Sequence, residues 1–431
     1  MSTAQRKQKM SEAKNRVCKI IEDKKEEIVQ TLRTLVQIPT VVGSEGTGQK
    51  YIQELYAALN LKVVAFEAKR DQVSKHKAFS DSGLDYEGRP NVIGILEGKP
   101  SAKSLILNGH VDVVSPEPIH EWKYPPWEGK RVGKRLYGRG TLDMKGGLIA
   151  NYFALKTILR AGLKPEGTVV LQSVVEEEAG GAGGTLACLM KGFTADALLI
   201  PEPGMAIVVA HPGINYFRVR VVGKPAHAGR AHTGVNAIGK MNQIYEALVE
   251  LDAKRGREKH FPLFEKQSER SCHLNIGTYR SGDWPSTVAA WAEVQCRISY
   301  LPGETLAEVK NQVEQVVDGV ARRDEWLTQH RPEVTWFGWN AEPWEQDPDH
   351  PFVRTFKACA EDVLGLSIDV IGKTAGLDTR FGQYFSIPSL SFGPNGENLH
   401  GVDEYVDLDS VIECTKVFAY FILEWCGCSM K

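Results

Sequence analysis

TVVLQSVVEEEAGGAGG, residues 168–184, decides how this chain is read. Thr168–Val175 is a strongly apolar, β-branched run of strand length. It stops at three successive acids, Glu176, Glu177 and Glu178, and dense glycine follows. Carboxylates crowded at a strand end repel one another unless cations are near. Taken alone, the stretch is as readily a solvated acidic loop.

The flanking sequence repeats the rhythm. Ser104–Asn108 (SLILN) and Asp196–Ile200 (DALLI) read as strands, while Met144–Ala161 and Gly184–Lys191 read as helices. Strand alternating with helix predicts an α/β fold with a mostly parallel central sheet covered by helices. The character changes near Pro212. Tyr216–Val222 (YFRVRVV) alternates as a half-exposed antiparallel strand does. A helix at Gly234–Lys254, strands at Leu274–Tyr279 and Ala289–Ile298, and a helix at Leu306–Arg322 complete an α+β module. Arg331–Asp349, rich in Trp and Pro, reads as a return linker. Pro351–Leu364, Ser389–Phe392 and Leu408–Trp425 then resume the first pattern. The expected division is a catalytic domain from 1–213 and 331–431, interrupted by a second domain at 214–330.

At 431 residues the chain exceeds one ordinary core. A net charge of −2, with no basic block, argues against nucleic acid or an anionic membrane as partner. The N-terminal stretch lacks the apolar core of a secretory signal and reads as an amphipathic helix with Val17, Ile20, Ile21, Ile28 and Leu32 on one side. No run is long and apolar enough to span a bilayer. The eight cysteines form no CxxC pair, so reduced thiols and a cytoplasmic setting are expected.

Other chemistry-bearing residues also stand at the ends of apolar runs. In Leu107-Asn-Gly-His110-Val-Asp112, residues i and i+2 of an extended chain face the same way. Asp112 can then accept the second N–H of His110, as carboxylates beside metal-bound histidine do. Asp143 lies between glycine-rich stretches at a helix start, where an N-cap is the ordinary role. Glu202 is clamped between prolines just after DALLI, a position equally suited to a surface turn. His110, Asp143, Glu178, Glu202 and His400 together have the chemistry of a two-metal hydrolytic site, with Glu177 available as a base. Open α/β sheets place their active sites at the carboxyl ends of strands, and four of these signals fall there.

The ordered motifs NGHVDVV, GRGTLDMKGG, the EE-containing glycine loop, PEP, GKPAHAGRAHTGVNAI, GLDTRF and FGPNGENLHGVDEY cover nearly the whole chain. This set resembles the acetylornithine deacetylase, succinyl-diaminopimelate desuccinylase, aminoacylase and glutamate carboxypeptidase family, peptidase family M20. The resemblance implies a zinc-aminopeptidase-like catalytic domain with an inserted ferredoxin-like lid and dimerisation domain. It implies two divalent ions, Zn²⁺ first, with Mn²⁺ or Co²⁺ as substitutes. His110 and Glu202 would hold one and Glu178 and His400 the other, with Asp143 bridging. Glu177 would be the general base and Asp112 the orienting carboxylate. A cis peptide would follow Asp143. His227 would reach a partner subunit's active site in a homodimer and polarise the scissile carbonyl. Arg380 would bind a substrate carboxylate, its planar fork suiting that role; a salt bridge to Asp378 is the alternative. Asn236 and Ser286 are further substrate-binding candidates.

The implied activity is hydrolysis of the amide bond of an N-acyl amino acid or a related small carboxylate-bearing substrate. A di- or carboxypeptidase, or a deformylase or deaminase of a heteroaromatic amine, is the alternative on the same scaffold. One departure bears on this choice. Many members of the family it resembles carry GG-x-x-x-N-V-V-P on the small domain, whereas here Ser286 stands at the Asn and Ala289 at the Pro. The neighbouring Trp284 and Trp291 leave an aromatic substrate open.

Overall fold

Runs that are apolar on both faces have to be covered on both faces, and the computed structural model, which describes residues 3–430, does so. The chain divides into two compact units. The first runs to Val209 and takes in Gln346–Val370 and the chain from Leu377 onward; the second is Ala210–Glu345 with Ile371–Gly376.

In the first unit, Val169–Val174, Leu105–His110, Leu198–Ile200 and Ser389–Ser391 lie side by side in that order, all parallel. Every residue of these strands is buried. The margins are antiparallel. Asn91–Leu96 and then Lys62–Phe66 extend one side, and Ile207–His211 joins the other through Val208. The expected mostly parallel sheet is thus a mixed sheet with a parallel centre. Register aligns His110 with Val174, so two chemistry-bearing strand ends leave the sheet together.

Helices Gly146–Arg160 and Leu408–Trp425 pack on each other and are buried almost all round, as helices inside a large core are. Asp407 caps the second, its side chain accepting from the backbone of Asp409 and Ser410. Helix Pro351–Leu364 starts with proline at its first turn and stops at Gly365, which takes φ 69°. Its Phe352 and Phe356 meet Phe421 and Phe418. The expected N-terminal helix forms as two, Thr3–Asp23 and Lys25–Val36, burying Val17, Ile21, Ile28 and Leu32.

The second unit is an antiparallel sheet in the order Leu274–Ser281, Trp291–Tyr300, Gly213–Val222, Glu333–Ala341. Alternation along Gly213–Val222 sends Phe217, Val219 and Val221 into a core with Met241, Ile244 and Leu248 of helix Ala237–Glu258. Val309, Val313 and Val317 of helix Leu306–Arg323 join them, and Thr305 and Glu308 form that helix's capping box. The Arg331–Asp349 linker reading is corrected here, since Glu333–Ala341 is a full edge strand. Its tryptophans pack instead of punctuating: Trp336 lies against Phe217. Gly338, at φ 64°, and a bulge opposite Asn215 and Tyr216 interrupt the period that would have exposed the strand in the sequence.

Candidate metal centre

The site is assembled where the parallel strands of the first unit end. His110 is the last residue of its strand and is buried. Its Nδ1 lies 2.8 Å from the Asp112 backbone carbonyl, with the Asp112 carboxylate 3.7 Å away. The orienting contact therefore comes from the backbone of Asp112 more closely than from its side chain. The carboxylate's Oδ2 instead accepts the Glu178 amide N–H at 3.1 Å, tying the His110 strand to the glutamate turn. The other imidazole nitrogen, Nε2, is left facing the site.

Three carboxylates surround that nitrogen. Asp143 Oδ1 is 3.1 Å away, Glu202 Oε1 3.7 Å and Glu177 Oε2 4.0 Å. The second oxygen of Asp143 is 3.2 Å from His400 Nε2, which also lies 3.1 Å from Glu178 Oε2. Each Asp143 oxygen thus faces a different histidine. His110, Glu177 and Glu202 form one group able to hold a metal ion, and His110, Asp143 and Glu178 another. The Asp143–Met144 peptide is cis. All five candidate ligands and Glu177 converge here.

Burial and mutual repulsion raise the carboxyl of Glu177 well above its ordinary value, and burial also raises Glu178. Asp112 is pushed by burial to about 7, against the pull of His110. Asp143 is the exception: burial would raise it, but the two imidazoles hold it low. His400 is raised to about 10 by its bonds to Asp143 and Glu178, and His110 goes well up because its carboxylates outweigh its burial. Four buried carboxylates around two imidazoles carry more negative charge than those imidazoles offset. Oxygen and nitrogen donors crowded this way fit divalent ions such as Zn²⁺, Mn²⁺ or Co²⁺.

Sequence reasoning missed the residues that hold the candidate ligands. Glu404 is fully buried; its Oε1 accepts from the backbone of Leu142 (2.9 Å) and Asp143 (3.2 Å). Its Oε2 accepts from Gly140 N and from Arg139 at 2.6 Å. Arg139 donates in turn to the His400 carbonyl at 3.1 Å. One ion pair therefore fixes Asp143 and His400 together. The signal lay inside the motifs, with Arg139 in GRGTLD and Glu404 four residues after His400. Glu176 is a second such residue. Buried at φ 71°, it accepts from Gly183 N, Ser82 and Tyr86 and anchors the far side of the glycine loop.

The substrate-binding candidates have other surroundings. Arg380 is buried in the first unit, donating to the Gly180 and Leu377 carbonyls, with Asp378 at 3.7 Å. His227, Asn236 and Ser286 lie exposed on the second unit. His227 pairs with Thr287 across a β-bridge, and its Nδ1 accepts from Gly229 N at 3.1 Å. Asn236 caps helix Ala237–Glu258 through Ile238 N. The Ser286 carbonyl accepts from Ala228 N. Trp284 is 67% exposed, whereas the Trp291 indole N–H reaches Asp283.

Residues 106–424 match the model of peptidase family M20/M25/M40, and the chain belongs to that family. It is a metallohydrolase acting on amide C–N bonds. It is 29% identical over 434 residues to the N-formyl-4-amino-5-aminomethyl-2-methylpyrimidine deformylase of Bacillus subtilis, covering 95% of this chain and 97% of that one. It is 28% identical over 376 residues to a probable succinyl-diaminopimelate desuccinylase of Staphylococcus epidermidis, covering 81% and 89%. Human carnosine dipeptidase 1 shares the fold, with a TM-score of 0.74 at 17% identity over 96% of this chain and 98% of that one.

Proposed function

We propose that the chain removes a formyl or similarly small acyl group from the nitrogen of a heteroaromatic aminomethyl compound. The observation that carries the chemistry is the convergence of His110, Asp143, Glu177, Glu178 and Glu202 within two overlapping groups. The substrate class is supported by the near full-length similarity to the aminomethylpyrimidine deformylase. The changed Ser286–Ala289 segment agrees with it. Hydrolysis of an N-acyl amino acid is the second reading, supported by the similarity to the desuccinylase.

His110 and Glu202 would hold one ion, Glu178 and His400 the other, and Asp143 would offer an oxygen to each. Bound there, divalent ions lower the pKa of water and polarise an amide oxygen; Zn²⁺ is our first choice, Mn²⁺ and Co²⁺ the alternatives. Glu177 takes the proton of the attacking water and returns it to the departing amine. Asp112 keeps His110 and the Glu178 turn in register. His227 contributes from the other subunit of a homodimer. With Nδ1 accepting a backbone N–H, Nε2 is the ring nitrogen left to donate to the carbonyl oxygen. The dimer is supported by apolar side chains left exposed on the second unit, Ile238, Tyr245 and Val249 on one helix and Tyr279 on an edge strand. A cytoplasmic setting belongs to the same reading, supported by cysteines that are mostly buried singly.

The test is a substrate screen on metal-reconstituted protein, reading amine release. N-formyl aminomethylpyrimidine is set beside N-formyl, N-acetyl and N-succinyl amino acids and dipeptides. Turnover of the pyrimidine above the others is expected. Turnover of acyl amino acids alone would give the second reading the site.

A further inference from the structure

Arg380 is the residue whose surroundings differ most from the role its motif suggests. Its side chain is 1% exposed, and its guanidinium lies 4.1 Å from the Phe381 ring centre. One terminal nitrogen donates to the Gly180 carbonyl at 2.6 Å and the other to Leu377 at 3.1 Å. Gly180 closes the turn that carries the glutamates, its own N–H bonding the Glu177 carbonyl at 2.9 Å. Gly180 and Gly181 sit at φ 121° and 65°, a conformation other residues rarely take. A Cβ on Gly181 would lie 2.1 Å from Asp378 Oδ1, so the turn rests directly on the Asp378–Arg380 pair. On the far side, Glu176 holds Gly183. The glycine turn is gripped at both ends.

The geometry points to Arg380 as a positioning residue. It holds the Gly180–Gly181 turn, and through it Glu177 and Glu178, and does not receive a substrate carboxylate. The inference rests on the amide-hydrolysis reading and extends it: with Arg380 committed to backbone carbonyls, the substrate needs no carboxylate. An arginine suits this work because its rigid planar fork presents two N–H groups to two carbonyls in a fixed geometry, which a lysine's point charge on a flexible stem does not preset.

Two substrates sharing a formyl group test it, one an N-formyl aminomethylpyrimidine and the other an N-formyl amino acid. Wild type is compared with Arg380→Lys and with the double variant Asp378→Asn/Arg380→Met, which removes both buried charges at once. Folding is followed by circular dichroism, and Co²⁺ affinity by visible absorption of the metal-free protein titrated with Co²⁺. In Arg380→Lys, kcat is expected to fall about 100-fold on both substrates with KM little changed, as for a misplaced catalytic group. Co²⁺ binding is expected to weaken at least about tenfold, as when a ligand loses its support. A rise in KM for the carboxylate substrate alone, with kcat and Co²⁺ affinity unchanged, overturns the inference. Should both variants fail to fold, wild type decides. A preference for the carboxylate substrate of more than about tenfold in kcat/KM, the least a charged hydrogen bond contributes, overturns it, and a smaller one supports it. Inactivity of wild type on both substrates removes the substrate reading instead, and the Co²⁺ titration still decides the role of Arg380.

Discussion

The strand ends of the first unit and the exposed turns of the second both carry candidate residues, in opposite surroundings. Around His110 and Asp143 the side chains hold one another, and most are buried, with His400 reaching in from the exposed side. Around His227, Asn236 and Ser286 the side chains are exposed; those of His227 and Asn236 accept nearby backbone N–H groups, and Ser286 is tied in through its backbone carbonyl. The first group can act only as a set, because each member is held through another. The second can be altered singly with little cost to the fold, so function there shows itself only in kinetics.

The sharpest way to break that contrast is Glu177→Gln. We expect a loss of at least about 10³-fold in kcat, within the range for removing a general acid–base. Metal content, read by atomic absorption, should stay near wild type. A matching loss of metal would make Glu177 a ligand, as its place beside His110 and Glu202 allows.

Glu404→Ala probes the supports behind the ligands. It strands the buried Arg139 charge, and breaking such a pair costs about 3–5 kcal/mol. The melting temperature should fall, and chelator competition should show weaker metal binding. An unchanged melting temperature would mean that Asp143 and His400 do not depend on the pair.

His227→Ala sharpens the other side of the comparison. A roughly 10- to 100-fold fall in kcat is expected from loss of one oxyanion donor, with an unaltered melting temperature. Mixing it with Glu177→Gln under conditions of subunit exchange should restore about a quarter of wild-type activity, since half the dimers are mixed and each has one intact site. No recovery on mixing would place His227 in its own subunit's site or in none.

The smallest effect belongs to Asn236→Ala. Loss of the cap should cost about 1 kcal/mol of stability, with KM nearly constant. A large rise in KM at constant stability would restore Asn236 to substrate binding.

The sequence made one kind of residue legible. His110, Asp143, the glutamate turn and Glu202 sit where apolar runs stop, and a polar side chain at the end of a buried strand is conspicuous. The parallel centre of the sheet was readable for the same reason. Arg139 and Glu404 were hidden because their partners lie far off along the chain, and a buried ion pair leaves no periodic trace. Strand Glu333–Ala341 was hidden by Gly338 and its bulge, which break the two-residue period. The commitment of Arg380 to a backbone carbonyl 200 residues away could be seen only in three dimensions.

That same separation in sequence governs when the site can exist. The hydrogen bonds from Glu404 reach back 261 to 265 residues, across the entire second unit. A chain emerging from the ribosome has His110, Asp143, Glu177, Glu178 and Glu202 long before it has His400 or Glu404. Until then the proposed second ion site lacks a ligand and the Asp143 backbone lacks its acceptor. Completion of the proposed centre is therefore deferred until His400 and Glu404 have been made, and a chain cut short before His400 would carry most of the candidate ligands but no completed centre.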